Sequence, residues 1–561
     1  MLTARLARRA ALVAAVVAAA LAPILPSAKA AGDCSSPTYG HDPGRSFAAD
    51  PGCSDLAVSN APTMVPKWIF NTSAPVTASP AVVDGTVYVG DWNGTFYALP
   101  TSASSVLATP RWSFQIDDTD KSAFGRIVSS ATVTTVGGRS VVLFGGGATL
   151  YALDAATGAK LASLCLDPRD IGALRCRSSE GEIEVESSPA VVNVGGLQHV
   201  LVGLDVHNDQ NVGRTGLVSA ALLPTPLGVE LLPTWKFDPE AGAAYTGPDL
   251  LTRGSGTGSG CASVWGSPAV DTSRNLVVFG TGSCSVDGVD VGEHVWALNL
   301  DSGTLAWSFG PPRESTRFDD DFGASPNILP GGLVGAGGKD GWYYALRERP
   351  AGTAPELVWS THVGESGHVQ TDFAIGGIIG TPATGLVNGE PAIFATTALS
   401  TPLDRPIDDD PSLDTTLVDD LGRLLSLTAL RASDGAILWR SPLARASYGA
   451  PSFANGVVLV PSTFTFSMQA YAADTGLLLS VLPMGGAPSS SPVAIGDSVY
   501  IGAGTSETDL EFKAFGASAV TALTGISSPL APLSGVYAFK ILGPAVPLPS
   551  LPPLPSLPIV N

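Results

Sequence analysis

The sequence predicts an all-β fold, an eight-bladed β-propeller built from four-stranded antiparallel blades. Three observations predict it: a short motif that recurs eight times, alternating apolar strands within the copies, and a composition rich in turn residues. The 561 residues include 64 Gly and 45 Pro, while 45% are hydrophobic and only 14% are charged. This composition suits many short buried strands joined by tight turns, and it excludes a disordered chain and a long helical bundle.

The repeated motif starts with a small residue before Pro-Ala-Val or a close variant, continues as an alternating apolar strand, and leads to an aromatic-Ala-Leu strand. The eight copies begin at Ser79-Pro80, Ser130-Ala131, Ser188-Pro189, Ser267-Pro268, Ser325-Pro326, Thr381-Pro382, Ala450-Pro451 and Ser491-Pro492. Their mean spacing is about 59 residues, close to the period of four-stranded propeller blades. Each copy is therefore predicted to form one blade.

Turns and tryptophans support the same architecture. Asp84-Gly85 and Asn93-Gly94 are predicted hairpin turns, because these pairs accept the positive φ that such turns require. The segment from Lys67 to Phe70 precedes the first complete copy and is predicted to complete the last blade and close the ring, which removes exposed sheet edges. The last strand of several copies carries a tryptophan that we interpret as blade packing: Trp112, Trp235, Trp307, Trp359 and Trp439.

The two ends of the chain differ in composition from the repeats. Residues 1–30 have a basic start, an apolar run over 10–25 and a small-residue end at 28–30, which predicts a cleaved secretory signal rather than a membrane anchor. The propeller is predicted to span 31–540. The Pro/Leu-rich tail, 541–561, cannot enter a sheet and is predicted to be extended and disordered. We therefore expect a secreted, extracellular protein that is a monomer and has no membrane span.

Charge and cysteines narrow the function classes. Acidic side chains (50) outnumber basic ones (30), and the net charge of −20 excludes nucleic acid as a partner. The acidic inserts 404–420 and 313–321 are predicted solvated loops, with Ca²⁺ binding as the alternative for the first.

No CxxCH motif is present, so no c-type haem is attached and any electron acceptor is a separate molecule. The six cysteines form three local pairs, which predict disulfides in an oxidising compartment: Cys34 with Cys53, Cys165 with Cys176, and Cys261 with Cys284.

The repeat signature Tyr-Ala-Leu-Asp-Ala-Ala-Thr-Gly, at 151–158, resembles the pyrroloquinoline-quinone (PQQ) type propeller of quinoprotein alcohol dehydrogenases. The resemblance extends from about residue 34 to 540. Within that superfamily, the chain most resembles the polyvinyl-alcohol-dehydrogenase-like branch, through the segments 260–270, 280–282, 295–307, 321–329 and 337–346.

The resemblance implies a protein that binds PQQ and Ca²⁺ on the propeller axis. Such an enzyme oxidises an alcohol, here a secondary or polymeric one, and passes the electrons to a separate acceptor. The alternative is a non-catalytic extracellular propeller scaffold that binds protein or polysaccharide, because the same repeat builds such scaffolds. A calcium-stabilised adhesion protein without cofactor is a third hypothesis.

Three residues match family positions that contact the cofactor. Trp265, just before a Gly-Ser-Pro motif, is expected to stack against the quinone. Lys339 is expected to contact the quinone oxygens and stabilise the charge that grows there during reduction. Arg126 is expected to bind a PQQ carboxylate, since a guanidinium group offers two parallel hydrogen bonds.

The metal and base positions depart from the family pattern. Asp209 stands near the position of a glutamate ligand, and Ser283 replaces an asparagine ligand. Glu293 replaces the aspartate that orients the metal and accepts the substrate proton, so it is predicted to be both a metal ligand and the catalytic base. Further oxygen donors lie nearby in the sequence: Asn208, Asn211, Asp287 and Asp290.

Overall fold

The chain folds as the predicted eight-bladed β-propeller of antiparallel sheets, in which seven blades have four strands and blade 3 is extended to six. The computed structural model describes residues 34–103, 107–117, 125–167, 176, 183–206, 215–251, 261–286, 289–311, 320–349, 353–364, 376–398, 426–442, 444, 447–504 and 534–543. The predicted leader, the acidic insert 404–420 and tail residues 544–561 lie outside this part of the chain. Ser35–Asn561 forms one compact unit.

The chain enters the last blade first, through β1 (Val65–Asn71), and then forms blades 1 to 4 in order. The strands of blade 1 are β2 (Ala81–Val83), β3 (Thr86–Gly90), β4 (Thr95–Pro100) and β5 (Trp112–Gln115). Those of blade 2 are β6 (Thr132–Val136), β7 (Arg139–Gly146), β8 (Thr149–Asp154) and β9 (Lys160–Cys165). Blade 3 comprises β10 (Ile183–Glu184), β11 (Ala190–Val194), β12 (Leu197–Val206), β13 (Gly216–Thr225), β14 (Gly228–Asp238) and β15 (Ala243–Thr246). Blade 4 comprises β16 (Ala269–Asp271), β17 (Leu276–Gly280), β20 (Val295–Asn299) and β21 (Leu305–Phe309), with the hairpin β18 (Ser285–Val286) and β19 (Val289–Asp290) inserted.

Blades 5 to 8 continue in the same order, and four short 3₁₀ turns connect strands elsewhere in the described residues. Blade 5 has β22 (Asn327–Leu329), β23 (Leu333–Gly337), β24 (Trp342–Arg347) and β25 (Glu356–His362). Blade 6 has β26 (Ala383–Val387), β27 (Glu390–Thr396), β28 (Leu427–Arg431) and β29 (Ile437–Arg440). Blade 7 has β30 (Ser452–Ala454), β31 (Val457–Ser462), β32 (Ser467–Ala472) and β33 (Leu478–Pro483), and blade 8 has β34 (Val493–Ile495), β35 (Ser498–Ala503), β36 (Gly535–Lys540) and β1. The 3₁₀ turns are Ala61–Thr63, Gly247–Leu251, Pro330–Gly332 and Thr463–Thr465.

The ring closes as predicted, because β1 pairs antiparallel with β36 and becomes the outer strand of blade 8. Trp68 of β1 faces Ala538 across this pairing and is only 1% exposed. Its ring packs against that of Tyr500, with centroids 5.8 Å apart. One strand from the start of the propeller therefore holds its last blade.

In six of the eight repeats, the hydroxyl of the small residue that opens the repeat accepts a hydrogen bond from the matching residue of the preceding blade. The donor–acceptor distances for these links lie between 2.8 and 3.0 Å. The links run from the backbone N–H to the side-chain oxygen in the pairs Ser79–Ser130, Ser130–Ser188, Ser188–Ser267, Ser267–Ser325, Ser325–Thr381 and Ser491–Ser79. These bonds join neighbouring blades near the axis.

The outer-strand tryptophans join neighbouring blades farther from the axis, which confirms their interpretation as packing residues. The indole of Trp359 donates to the carbonyl of Ala432 in the next blade (3.2 Å) and lies against Gly435, where a β-carbon would be 2.3 Å from the ring. Equivalent contacts join the pairs Trp112–Gly158, Trp235–Gly303 and Trp439–Gly476. Apolar side chains fill the space between blades, as where the rings of Phe96 and Phe144 stack 4.1 Å apart.

The segment 36–55 follows the inner side of the ring, a feature that the sequence did not predict. It contributes hydrogen bonds to the first strand, or to residues flanking it, in all eight blades. The bonded pairs are Ser36–Val82, Pro37–Val133, Arg45–Ser188, Pro43–Val270, Gly44–Ile328, Ser46–Thr384, Phe47–Phe453 and Cys53–Gly496. The segment therefore covers inner strand edges that would otherwise be exposed.

Arg45 anchors this segment. Its side chain is completely buried and donates to the carbonyls of Pro268 (2.9 Å) and Ser188 (3.2 Å), which precede the first strands of blades 4 and 3. It also donates to Thr38 and to the carbonyl of Tyr39 in its own segment. Burial lowers the pKa of Arg45 to about 10, so the group stays charged at neutral pH.

The cysteine predictions agree with the structure. Cys165 bonds to Cys176 and Cys261 bonds to Cys284, as predicted. Cys34 and Cys53 are also disulfide-bonded, so none of the six cysteines is free. Across the described part of the chain, no helix has the length and apolar character needed to cross a membrane.

Candidate functional site

The candidate site lies at one end of the ring, in the loops of blades 4 and 5. In an antiparallel blade, the loop after the second strand and the loop before the first strand lie at the same end of the sheet. Trp265 precedes β16, and the loop 281–294 connects β17 to β20. Asp321 precedes β22, while Lys339 lies between β23 and β24. Ring geometry thus brings together residues that are far apart in sequence.

Trp265, Asp321 and Lys339 contact one another. The indole N–H of Trp265 donates to Asp321 Oδ2 (2.8 Å), and Lys339 Nζ lies 2.9 Å from Asp321 Oδ1. The ammonium group is also 5.1 Å from the centroid of the Trp265 ring, within the range of a cation–π interaction. Lys339 and Asp321 are buried, at 8% and 5% exposed. The arrangement holds a cation and a half-buried aromatic surface in fixed positions.

Gly323 explains why the indole can lie where it does. A β-carbon at this position would be 1.6 Å from the Trp265 ring, so only glycine lets the ring cover the backbone there. The fifth repeat begins two residues later, at Ser325. The short Asp-Phe-Gly segment before this repeat therefore supplies both the hydrogen-bond acceptor of the indole and the flat surface beneath it.

Glu293 and Ser283 form a second group beside Asp321. Ser283 Oγ donates to Glu293 Oε1 (2.7 Å), and the backbone N–H of Asp320 donates to the same oxygen (3.3 Å). Glu293 is 3% exposed and has φ of +51°, a left-handed conformation that is unfavourable for a residue with a side chain. Such conformations occur often at functional sites, where surrounding contacts maintain them.

Arg126 lies elsewhere on the ring. It precedes β6, where its backbone N–H donates to the carbonyl of Trp92 (3.0 Å) and its carbonyl accepts from Gly147 (2.9 Å). Among the described contacts, none joins Arg126 to the cluster around Trp265. Its predicted role as a carboxylate ligand stays a prediction, and Asp209 lies outside the described residues together with Asn208, Asn211 and Asp287.

One prediction about this region is wrong for the residues that the structure describes. The insert 313–321 was expected to be a solvated acidic loop; residues 313–319 lie outside the described part of the chain, but Asp320 and Asp321 at its end are 7% and 5% exposed. They are buried because Asp321 pairs with Lys339 and the backbone of Asp320 binds Glu293. Sequence reasoning missed both as site residues, although the signal was present: Asp321 is the first residue of the segment 321–329, which carries the family resemblance, and Asp320 directly precedes it.

The cluster offers the chemistry of an anion-stabilising and metal-binding site. Glu293, Ser283 and Asp321 supply carboxylate and hydroxyl oxygens, the ligands that Ca²⁺ prefers. Lys339 supplies a cation beside an aromatic face, which suits a flat ligand with polar oxygens. The residues present therefore fit both PQQ and Ca²⁺ in the types of atoms they offer.

Residues 58–330 match the family described as glucose/ethanol/alcohol dehydrogenase, PQQ β-propeller domain. Over residues 58–330 the chain is thus similar to a PQQ-type β-propeller domain. No curated protein matches the sequence.

Solved structures with similar folds include three dehydrogenases. A europium-containing methanol dehydrogenase has a TM-score of 0.62 and 14% identity, and the match covers 90% of this chain and 98% of that one. The quinohemoprotein alcohol dehydrogenase ADHIIG of Pseudomonas putida HK5 has a TM-score of 0.60 and 18% identity, with 93% and 82% covered. The quinohemoprotein alcohol dehydrogenase of Comamonas testosteroni has a TM-score of 0.56 and 14% identity, with 90% and 80% covered. At these identities the similarity establishes the fold.

Proposed function

We propose that this protein is an exported, PQQ- and Ca²⁺-dependent dehydrogenase that oxidises a secondary or polymeric alcohol and passes electrons to a separate acceptor. The observation that carries the proposal is the contact of Trp265, Asp321 and Lys339 at one end of a PQQ-type propeller. Its disulfides support export, because such bonds persist in oxidising compartments.

The cofactor-binding roles follow from the side chains. PQQ, when bound, supplies a quinone that accepts two electrons from the alcohol. Trp265 would support the flat ring system, while Lys339 would donate a hydrogen bond to a quinone oxygen and stabilise negative charge there. Arg126 would bind a carboxylate of the cofactor. Asp321 would orient both Trp265 and Lys339, since its two oxygens each contact one of them.

Glu293 is the proposed proton acceptor for the substrate hydroxyl. A buried carboxylate within hydrogen-bond reach of an alcohol is the group that such chemistry requires. Asp321 is less suited, because both of its oxygens already contact donors. Glu293, Ser283 and Asp209 would hold Ca²⁺ through oxygen ligands.

The test is titration of the purified protein, with its disulfides intact, by PQQ in the presence of Ca²⁺. Absorbance would report binding, and dye-coupled oxidation of primary, secondary and polymeric alcohols would report turnover. We expect saturable binding and turnover. Glu293→Gln is expected to reduce turnover by about 100-fold or more, whereas Glu356→Gln, at an exposed surface ion pair, should not change it.

Two results would contradict the proposal. Absence of PQQ binding by the folded protein would overturn it and favour the non-catalytic scaffold. Binding with unchanged turnover in Glu293→Gln would keep the dehydrogenase but assign the proton to another group, and Asp321→Asn would then be compared.

A further inference from the structure

The Cys261–Cys284 disulfide joins the two segments that carry the candidate site. Cys261 lies four residues before Trp265, and Cys284 directly follows Ser283. The bond therefore links the segment that enters blade 4 with the loop between its second and third strands. Neither cysteine has a role in the cofactor binding or proton transfer proposed above. The bond can therefore affect the site only through the conformation of the loop.

The backbone of Cys284 organises the turn that ends at Glu293. The N–H groups of Val291 (2.9 Å) and Gly292 (3.0 Å) both donate to the Cys284 carbonyl, and the N–H of Glu293 donates to the Gly282 carbonyl (2.9 Å). The turn is closely packed, since a β-carbon on Gly292 would lie 2.2 Å from the Gly282 oxygen and 2.3 Å from the Cys284 nitrogen. The left-handed conformation of Glu293 thus depends on where Cys284 is held.

Cys261, the other cysteine of the disulfide, is held by hydrogen bonds of its backbone. The N–H of Cys261 donates to Glu240 Oε1 (2.6 Å), and its carbonyl accepts from Ser263 (2.8 Å). The carbonyl of Ser263 in turn accepts from Gly282 (2.9 Å). The disulfide and this hydrogen bond are two parallel links between the segment that carries Trp265 and the loop that carries Glu293.

We propose that the Cys261–Cys284 disulfide is a thiol-sensitive positioning element of the site, which keeps Glu293 in its left-handed conformation next to Ser283 and Asp320. Reduction by a dithiol transfers two electrons and two protons, breaks the S–S bond into two thiols and leaves the dithiol as a disulfide. The loop then loses its covalent link, and Glu293 relaxes toward an unstrained conformation. The part of this inference that concerns catalysis rests on the proposed function.

The test compares Cys261→Ser/Cys284→Ser with a matched control, Cys165→Ser/Cys176→Ser, which removes the disulfide of blade 2. Hydrogen–deuterium exchange reports the loop without any cofactor. The amides of Val291, Gly292 and Glu293 are expected to exchange about tenfold faster or more in the first variant only. PQQ binding is expected to weaken by about tenfold in that variant, while the control changes stability but not PQQ affinity.

Unchanged exchange in the loop would overturn the inference, whatever happens to activity. Faster exchange with unchanged PQQ affinity and turnover would also overturn it, because the bond would then be purely structural. If the wild-type protein binds no PQQ, the proposed function fails and the exchange result alone decides the positioning role. If the double variant does not fold, native protein treated with dithiothreitol, with the free thiols mapped by mass spectrometry, gives the same measurement.

Discussion

At the scale of single residues, Lys339 and Asp321 form an ion pair in which both side chains are nearly buried. Removing one partner of a buried pair leaves a charge without compensation, whereas removing both charges does not. Lys339→Met is therefore expected to lower the free energy of unfolding by about 3 kcal/mol. The double variant Lys339→Met/Asp321→Asn is expected to recover most of this loss. Urea unfolding of the wild-type protein, the single variant and the double variant measures these free energies. An equal or larger loss in the double variant would contradict the interpretation of Lys339 and Asp321 as a coupled buried ion pair.

Asp238, at the end of β14, gives a prediction about pH. Burial, together with the nearby Glu240 carboxylate, raises the pKa of Asp238 from 3.8 to about 6. The folded protein thus binds this proton more tightly than the unfolded chain does, so stability falls as pH rises from about 4 to about 6. Asp238→Asn removes the buried charge and is expected to stabilise the protein at pH 7 by up to about 3 kcal/mol, but not at pH 4.

Thermal unfolding between pH 4 and pH 8 would test this prediction for Asp238. Asp84→Asn, at an exposed turn position, is the control and should follow the wild-type profile. A stability gain in Asp238→Asn that is the same at both ends of the range would show that the gain does not come from the titration of this carboxyl.

At the scale of secondary-structure elements, substitutions at two turn glycines allow the energetic cost of backbone strain to be measured apart from the cost of disturbed blade packing. Gly435 (φ +72°) lies against the Trp359 ring, whereas Gly389 (φ +83°) has no atom within 4 Å of where a β-carbon would be. Gly389→Ala is expected to cost about 1 kcal/mol from the left-handed conformation alone. Gly435→Ala should cost about 3 kcal/mol or more, because the methyl group also displaces the indole. Chemical denaturation compares them, and equal costs would mean that the tryptophan contact contributes little.

At the scale of the whole molecule, ring closure depends on β1. Trp68 of this strand and Trp307 of β21 are both buried, but only Trp68 joins the first and last parts of the propeller. Trp68→Ala and Trp307→Ala are each expected to cost about 3 to 5 kcal/mol. Only Trp68→Ala should also open the ring, expose the edge of β36 and increase self-association. Size-exclusion chromatography with unfolding measurements tests this, and equal association of both variants would contradict a special role for β1.

The fold was predictable from the sequence because its determinants are local. Each of the eight repeat starts directly precedes the inner strand of a blade, as with Ser79-Pro80 before β2 and Ser188-Pro189 before β11. Asp84 and Gly85 adopt positive φ in a two-residue hairpin turn, as their residue types predicted. The course of the segment 36–55 could not be predicted, since it is set by hydrogen bonds to strands from all eight blades.

The sequence by itself determined the blades, their order and the closing strand, and its family resemblance pointed to Trp265 and Lys339 as separate candidate site residues. Alternation, turn residues and repeat spacing act within about 60 residues of chain, which is the length of one blade. Only the tertiary structure decided that Asp321 joins Trp265 to Lys339 and that Glu293 takes a left-handed conformation beside Ser283. The physical reason is that loops from different blades become neighbours only when the ring has closed, and the burial that pairs their charges follows from that closure.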